Sequence, residues 1–284
     1  MNYSFVTFLG TDSFLPGVLA LNTSLKNYNK TYGMVVLVTD LITPTSILAL
    51  ESNCIKHKYV DRIKNPNKLE NDERNFKHMY TKLRIFELDE FDKIVYLDAD
   101  MLVCRNIEEI FDAPHMSAVA AGALAPGYTH WKELNAGFLV VVPDKSLAAK
   151  MYALVESTSS YDGSDQGFLQ SFYNNWANDK ALQLDHKYNL PVSNIEVLVD
   201  LNYFKFSYKK GVLDTNIAIL HYWGFDKPWH HDGRRLNIRS PCANDHAYML
   251  WWDVYKPEYR KFRLLYYISD TIVRKLSKLL KRSK

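Results

Sequence analysis

Cysteine is scarce in this chain of 284 residues: Cys54, Cys104 and Cys242 are the whole complement, and no C-x-x-C pair occurs. Three scattered thiols exclude a disulfide framework and a zinc ribbon, and they read as a reducing, cytoplasmic setting. Long hydrophobic runs are missing too. No stretch approaches the ~18 to 20 apolar residues of a membrane span. The opening residues do not look like a secretory leader, since Asn2 and Tyr3 follow Met1 in place of a basic region and Asp12 interrupts the first apolar stretch. Internal repeats and linkers rich in Gly, Pro or Ser are absent, which points to one continuous domain. With 47% hydrophobic and 24% charged residues, the composition is that of a globular protein able to bury a sizeable core.

A basic body is the last absence. The chain carries 35 Lys and Arg against 32 Asp and Glu, and 10 of those basic residues with only 2 acidic ones lie between Lys256 and Lys284. That tail is therefore +8, while residues 1–255, with 25 basic and 30 acidic residues, are −5. An acidic body argues against nucleic acid as a partner. In the tail, Leu265, Ile268, Ile272, Leu276 and Leu279 recur at helical spacing opposite Arg263, Arg274, Lys278, Lys281 and Arg282, the pattern of an amphipathic basic helix. Such a helix either packs on the body or lies on an anionic membrane surface through 260–284, peripheral on its inner face, and the charge favours the second. The expected division is a domain at 1–255 and a tail at 256–284.

What is present alternates. Ser4 to Leu9 reads as a strand and Pro16 onward as a helix, with Pro16 suited to a first turn. Met34 to Val38 is a fully apolar strand, which completes a βαβ unit whose strands are buried on both faces. A helix over Ser46 to Cys54, a strand near Lys58 to Val60, a helix around Tyr80 to Leu88 and a strand at Lys93 to Leu97 follow. Strands at Ser117 to Ala121 and Ala136 to Val142 and helices at Ser146 to Glu156 and Gln166 to Trp176 continue the pattern, with a further strand at Ile217 to His221. The fold class is α/β, a single Rossmann-like domain with a mostly parallel central sheet.

The apolar strand Lys93 to Leu97 runs into Asp98-Ala99-Asp100, and period-two alternation would place both carboxylates on one side of the chain, at the strand's end and outside the core. Two carboxylates on one edge can share a hard cation. The same triplet arises by chance as a capped turn. His221 ends another apolar run, and imidazole suits Mn²⁺ beside carboxylates, though a lone histidine also serves as a core residue. Lys227, before Pro228 and Trp229, suits a phosphate or a solvated loop. Asp162 to Gly167 opens a helix, so Asp162 or Ser164 fits an N-cap and Asp165 the positive end of the helix dipole. Asn135-Ala136-Gly137 fits either a turn or a sugar-binding amide beside a close-approach glycine.

In order and combination, Phe5-Val6-Thr7, Asp98-Ala99-Asp100, Asn135-Ala136-Gly137, the run from Asp162 to Gly167 and the run from His221 to Trp229 resemble glycosyltransferase family 8, the glycogenins in particular. Trp251-Trp252-Asp253-Val254-Tyr255 is similar to a segment of the galactinol synthases of that family. The resemblance implies a GT-A fold, Mn²⁺ or Mg²⁺ held by Asp98, Asp100 and His221, and a UDP-sugar donor whose diphosphate meets Gly224 and Lys227. It implies donor contacts from Phe8, Thr11, Asp12, Phe14, Lys82, Ala99, Asn135, Ala136 and Asp162, with Asp165 and Gln166 at the reacting sugar. Arg74 lies near the family's donor-binding arginine, but its spacing to Lys82 does not fit.

The expectation is thus a retaining transferase moving glucose or galactose from UDP-glucose or UDP-galactose to a hydroxyl of a glycan, glycolipid or polyol. Two other classes compete. A nucleotidyltransferase would want a Gly-rich, basic first loop, and Phe8 to Pro16 has one Gly and no Lys or Arg. A non-catalytic carbohydrate-binding relative would need no metal set, and here the set is complete.

Overall fold

A computed structural model of the chain describes residues 1–67, 76–122, 124, 126–231 and 241–255. The tail at 256–284 and Arg74 lie outside the described residues. Those described form strands β1 (Tyr3–Leu9), β2 (Met34–Val38), β3 (Lys56–Tyr59), β4 (Lys93–Leu97), β5 (Met101–Val103), β6 (Ala118–Ala120), β7 (Leu134–Val141), β8 (Leu190–Pro191), β9 (Phe206–Lys209), β10 (Val212–Thr215) and β11 (Ile219–His221). The helices are α1 (Leu15–Tyr28), α2 (Pro44–Ser52), α3 (Lys145–Leu154), α4 (Asp165–Phe172), α5 (Ile195–Asp200) and α6 (Ala243–Tyr255).

Six strands make the central sheet, in the order β3-β2-β1-β4-β7-β6. The first four are parallel, whereas β7 is antiparallel to β4 and β6 to β7. Both faces are covered, and the strand period shows how. Phe5, Leu9, Val95 and Leu97 enter a core under α1 and α2, while Val6, Ile94 and Tyr96 enter a second core built with α3 and α4 on the opposite face. Each large apolar side chain buried this way stabilises the fold by roughly 1.5–3 kcal/mol.

Two local expectations are corrected. Around Tyr80 to Leu88 the chain is not α-helical; Phe76–Glu87 is a 3-10 segment with a non-helical residue at His78. The acidic pair is not carried on an extended strand either, because residues 98–100 form a turn that leaves β4 and enters β5. The turn crosses from one sheet to another. β5 pairs antiparallel with β11, which pairs parallel with β8, and β9 and β10 form a hairpin. α6 and α5 close a third core over this small sheet, in which Trp251, Ile195, Leu198, Leu102 and Leu220 are buried. The Trp251-Trp252 pair is therefore core.

Candidate active site

The two sheets meet at the acidic turn. Its geometry is set by backbone hydrogen bonds: Asp98 N–H donates to Gly137 O at 2.8 Å, Met101 N–H to Asp98 O at 3.1 Å and Tyr222 N–H to Asp100 O at 2.9 Å. Asp98 retains 27% of its side-chain exposure. Asp100, expected outside the core, is instead buried, because the small sheet covers it.

Each carboxylate is held by one oxygen. The Asp98 Oδ1 atom accepts from the Tyr96 hydroxyl at 2.7 Å and sits 3.1 Å from Lys82 Nζ. Asp100 Oδ2 pairs with Lys227 Nζ, which also donates to Tyr222 O at 2.8 Å. The remaining oxygens turn to His221, whose Nε2 lies 3.2 Å from Asp100 Oδ1 and 4.0 Å from Asp98 Oδ2. One ligand atom from each of the three residues lies within 4.8 Å of the others. Burial pushes the Asp100 carboxyl up, but His221 and Lys227 outweigh it and hold the group well below the usual carboxylate range.

Sequence reasoning missed the residue that aims His221. Asn189, buried after the 3-10 turn His186–Tyr188, places Oδ1 at 2.8 Å from His221 Nδ1. With Asn189 Oδ1 accepting, Nδ1 carries a proton, and Nε2 is the ring nitrogen turned to the carboxylates and the one a metal would take. Asn189 Nδ2 donates to Asn135 Oδ1 at 2.8 Å, and that oxygen also accepts Gly137 N–H at 2.9 Å. Asn135 is thus left with its own amide N–H groups to offer a ligand. A Cβ on Gly137 would stand 2.8 Å from His221 Cε1 and 2.9 Å from Asp98 Oδ2. Two hard carboxylate oxygens and an imidazole nitrogen, with a glycine keeping the space open, fit a Mn²⁺ or Mg²⁺ ion.

On the other flank, α4 begins under Ser164, whose Oγ accepts from Gln166 N–H at 3.1 Å and Gly167 N–H at 3.4 Å. Asp162 braces that cap, accepting Ser164 N–H at 2.9 Å and the Ser164 hydroxyl at 2.7 Å. Asp165 is buried with its carboxylate 2.8 Å from Lys82 Nζ, so one lysine bridges Asp98 and Asp165. Burial opposes the charge on Lys82, yet Asp165 and Asp98 outweigh it and raise its pKa. Burial likewise pushes the Asp165 carboxyl up, against the pull of Lys82. Gln166 Oε1 accepts Ala136 N–H at 3.1 Å, and Lys82 reaches Ala136 O at 3.4 Å. Lys82, Ala136, Asp165 and Gln166 therefore form one network with Asp98, while Asp162 joins through the cap.

The first loop gathers on the Lys227 side. Asp12 Oδ1 accepts Thr43 N–H at 3.1 Å, tying the loop to α2, and Thr11 shares a 2.7 Å hydroxyl contact with Ser13. Lys227 Nζ stands 5.6 Å from the Phe14 ring centroid, and Phe14 meets Trp229 edge-on. Gly17, whose Cβ would lie 2.3 Å from Ala99 O, lets α1 start against the acidic turn. Phe8 is half-buried against the second core, packed under Gly10. Gly224, at φ +86°, turns the chain between exposed Trp223 and Phe225.

The family model described as Glycosyl transferase family 8 matches residues 5–233. The chain is similar to Inositol phosphorylceramide glucuronosyltransferase 1 of Arabidopsis thaliana, 34% identical over 236 residues that cover 80% of this chain and 42% of that one. It is similar to Glycogenin-1 of Oryctolagus cuniculus, 29% identical over 272 residues covering 89% and 75%. The chain thus spans less than half of the plant relative's length. In fold it is similar to the galactosyltransferase LgtC solved with donor and acceptor sugar analogs, with a TM-score of 0.55 and 18% identity over 89% of this chain and 95% of that one.

Proposed function

This chain belongs to glycosyl transferase family 8 and shares the GT-A fold, and from that premise we propose that it is a metal-dependent, retaining hexosyltransferase taking glucose or galactose from a UDP-sugar. The observation that carries the reading is the convergence of Asp98, Asp100 and His221 between the partly buried Lys82 and the buried Lys227. Mn²⁺ or Mg²⁺ held by these three residues would supply charge neutralisation for a departing diphosphate. Lys227 and Gly224 bind that diphosphate, and Phe8, Thr11, Asp12, Phe14 and Ala99 form the nucleotide side. Lys82, Asn135, Ala136 and Asp162 surround the sugar.

Asp165 is engaged by Lys82 at 2.8 Å, which argues against a free nucleophile and supports front-side transfer with retention. Gln166, oriented by Ala136 N–H, faces the developing oxocarbenium-like centre with Asp165, where nearby oxygens stabilise charge. The acceptor is a hydroxyl of a glycan, glycolipid or polyol. No helix of the described residues is long and apolar enough to cross a membrane. Cytoplasmic location, and attachment of the +8 tail to the anionic inner face of a membrane, complete the proposal.

The test is UDP release from UDP-glucose, UDP-galactose and UDP-glucuronate in Mn²⁺, with the anomeric configuration of the first product read by NMR. The third donor is included because a relative's name carries glucuronosyl transfer. Mn²⁺-dependent release from a UDP-hexose, with retention, is expected. No release from any donor overturns the reading.

A further inference from the structure

The strand order arranges the site as a track. The C-terminal ends of β1 and β4 and the N-terminal end of antiparallel β7 share one edge of the sheet, carrying Thr11 and Asp12, then Asp98 to Asp100, then Asn135 and Ala136. Next in this direction comes the connection from β6 to β7, since β6 runs antiparallel to β7 and ends at that edge. Nucleotide, diphosphate and transferred sugar occupy the first three stations in the reading above. The fourth is where an acceptor must stand.

That fourth station is aromatic. Trp131 and Tyr161 meet edge-on, 6.4 Å between centroids at 82°, and Tyr161 is 64% exposed. Tyr128, 59% exposed, precedes Trp131 on the same connection. None of the three belongs to the cores. Their loop is nevertheless built: Gly122 N–H donates to Trp131 O at 2.9 Å, Trp131 N–H to Tyr128 O at 2.9 Å and Ala121 N–H to Glu133 O at 2.8 Å. Tyr161 directly precedes Asp162, and its side chain interacts with those of Gln166 and Gln170, so the platform is joined to the reacting station.

We infer that Trp131 and Tyr161 form the acceptor platform of this enzyme and that the acceptor it takes there is a pyranoside ring, an inference that rests on the transferase reading above. A flat π-face takes the apolar C–H face of a pyranose, while polar edges and neighbours take its hydroxyls. Here His130, Lys132 and Glu133 are exposed around half-buried Trp131, so polar groups alternate with the aromatics. That alternation suits a sugar and not a lipid tail. Trp223, by contrast, donates its indole N–H to Ser193 Oγ at 2.7 Å, stands directly before Gly224 and two residues after His221, and belongs to the diphosphate side.

The experiment measures UDP release with and without methyl glucopyranosides, maltose and lactose, using glycerol and sorbitol as open-chain polyols. Pyranosides are expected to stimulate release. Trp131→Ala should raise the pyranoside KM at least tenfold while the UDP-sugar KM moves less than twofold; Trp131→Phe should restore most of the difference, and Trp223→Ala should leave the pyranoside KM in place. The backbone bonds that shape the loop survive these changes. Saturation-transfer NMR from protein aromatic protons to the pyranoside C–H face, in the presence of UDP, reads the same contact without turnover and should vanish in Trp131→Ala. Stimulation by open-chain polyols alone, no pyranoside effect, or an unchanged pyranoside KM in Trp131→Ala overturns the platform. Absence of UDP release from every donor overturns the transferase reading instead, and the NMR arm then decides the platform by itself.

Discussion

The two flanks of the site are built by different means. Asp98, Asp100 and His221 are placed by strands and by the crossing from one sheet to the other, whereas Asp162, Asp165 and Gln166 hang on a capped helix start. Lysines join both flanks, but unequally. Lys82 has two carboxylates, Asp98 and Asp165, while Lys227 has Asp100 alone among the carboxylates of the described residues. The difference teaches where a charge can be removed: one flank has a spare counter-charge, and the other, among the described residues, has none.

The largest effect should therefore come from Asp100→Asn. Lys227, 6% exposed, would be left buried without its counter-charge, and breaking a buried pair costs about 3–5 kcal/mol. A fall in thermal midpoint together with loss of nearly all activity is expected. Asp98→Asn should abolish activity comparably but cost only about 1–2 kcal/mol, since Lys82 keeps Asp165. Calorimetry of both variants checks the contrast; equal midpoints would sink it. Next comes Gly137→Ala. Its methyl group meets His221 and Asp98 at under 3 Å, so Mn²⁺ affinity, read by titration calorimetry, should fall at least tenfold although every ligand remains.

Asn189→Ala should weaken Mn²⁺ binding by roughly 10–100-fold, the usual effect of losing a ligand's hydrogen-bonded partner. Electron paramagnetic resonance of free Mn²⁺ measures it, and unaltered affinity would show that Asn189 does not orient His221. Here legibility in the sequence reaches its edge. Asp98, Asp100 and His221 were readable because apolar runs end in them, and the parallel core strands because their runs are continuous. Asn189 was not readable: its role depends on β8 lying parallel to β11, Leu190 beside Leu220 and Pro191 beside His221, a register set between segments some thirty residues apart. β5, three residues long, was too short to show a period, so the acidic turn looked like a strand end and the burial of Asp100 was hidden. At Phe76–Glu87 helical spacing of apolar residues was present, but spacing does not distinguish a 3-10 from an α-helix over so short a run.

The smallest effect tests the capped flank. Read from sequence, Asp162 to Gly167 offered capping and chemistry as alternatives; in the fold both hold, because Ser164 caps α4 and braces on Asp162 while the next two residues join the network of Lys82 and Ala136. Ser164→Ala removes the oxygen that accepts from Gln166 and Gly167, and losing such a cap costs about 1 kcal/mol. In a domain of this size that is a midpoint shift of roughly 2–4 °C. The metal flank shares no hydrogen bond with the Ser164 hydroxyl, so Mn²⁺ affinity should hold. Transfer should slow by several-fold, because the first turn that carries Asp165 and Gln166 loses its anchor while Lys82 still holds the Asp165 carboxylate. Measuring Mn²⁺ affinity and turnover on the same preparation separates the outcomes: a parallel loss of both would mean that the two flanks are one cooperative unit and that the contrast between strand-placed and cap-placed residues has no functional content.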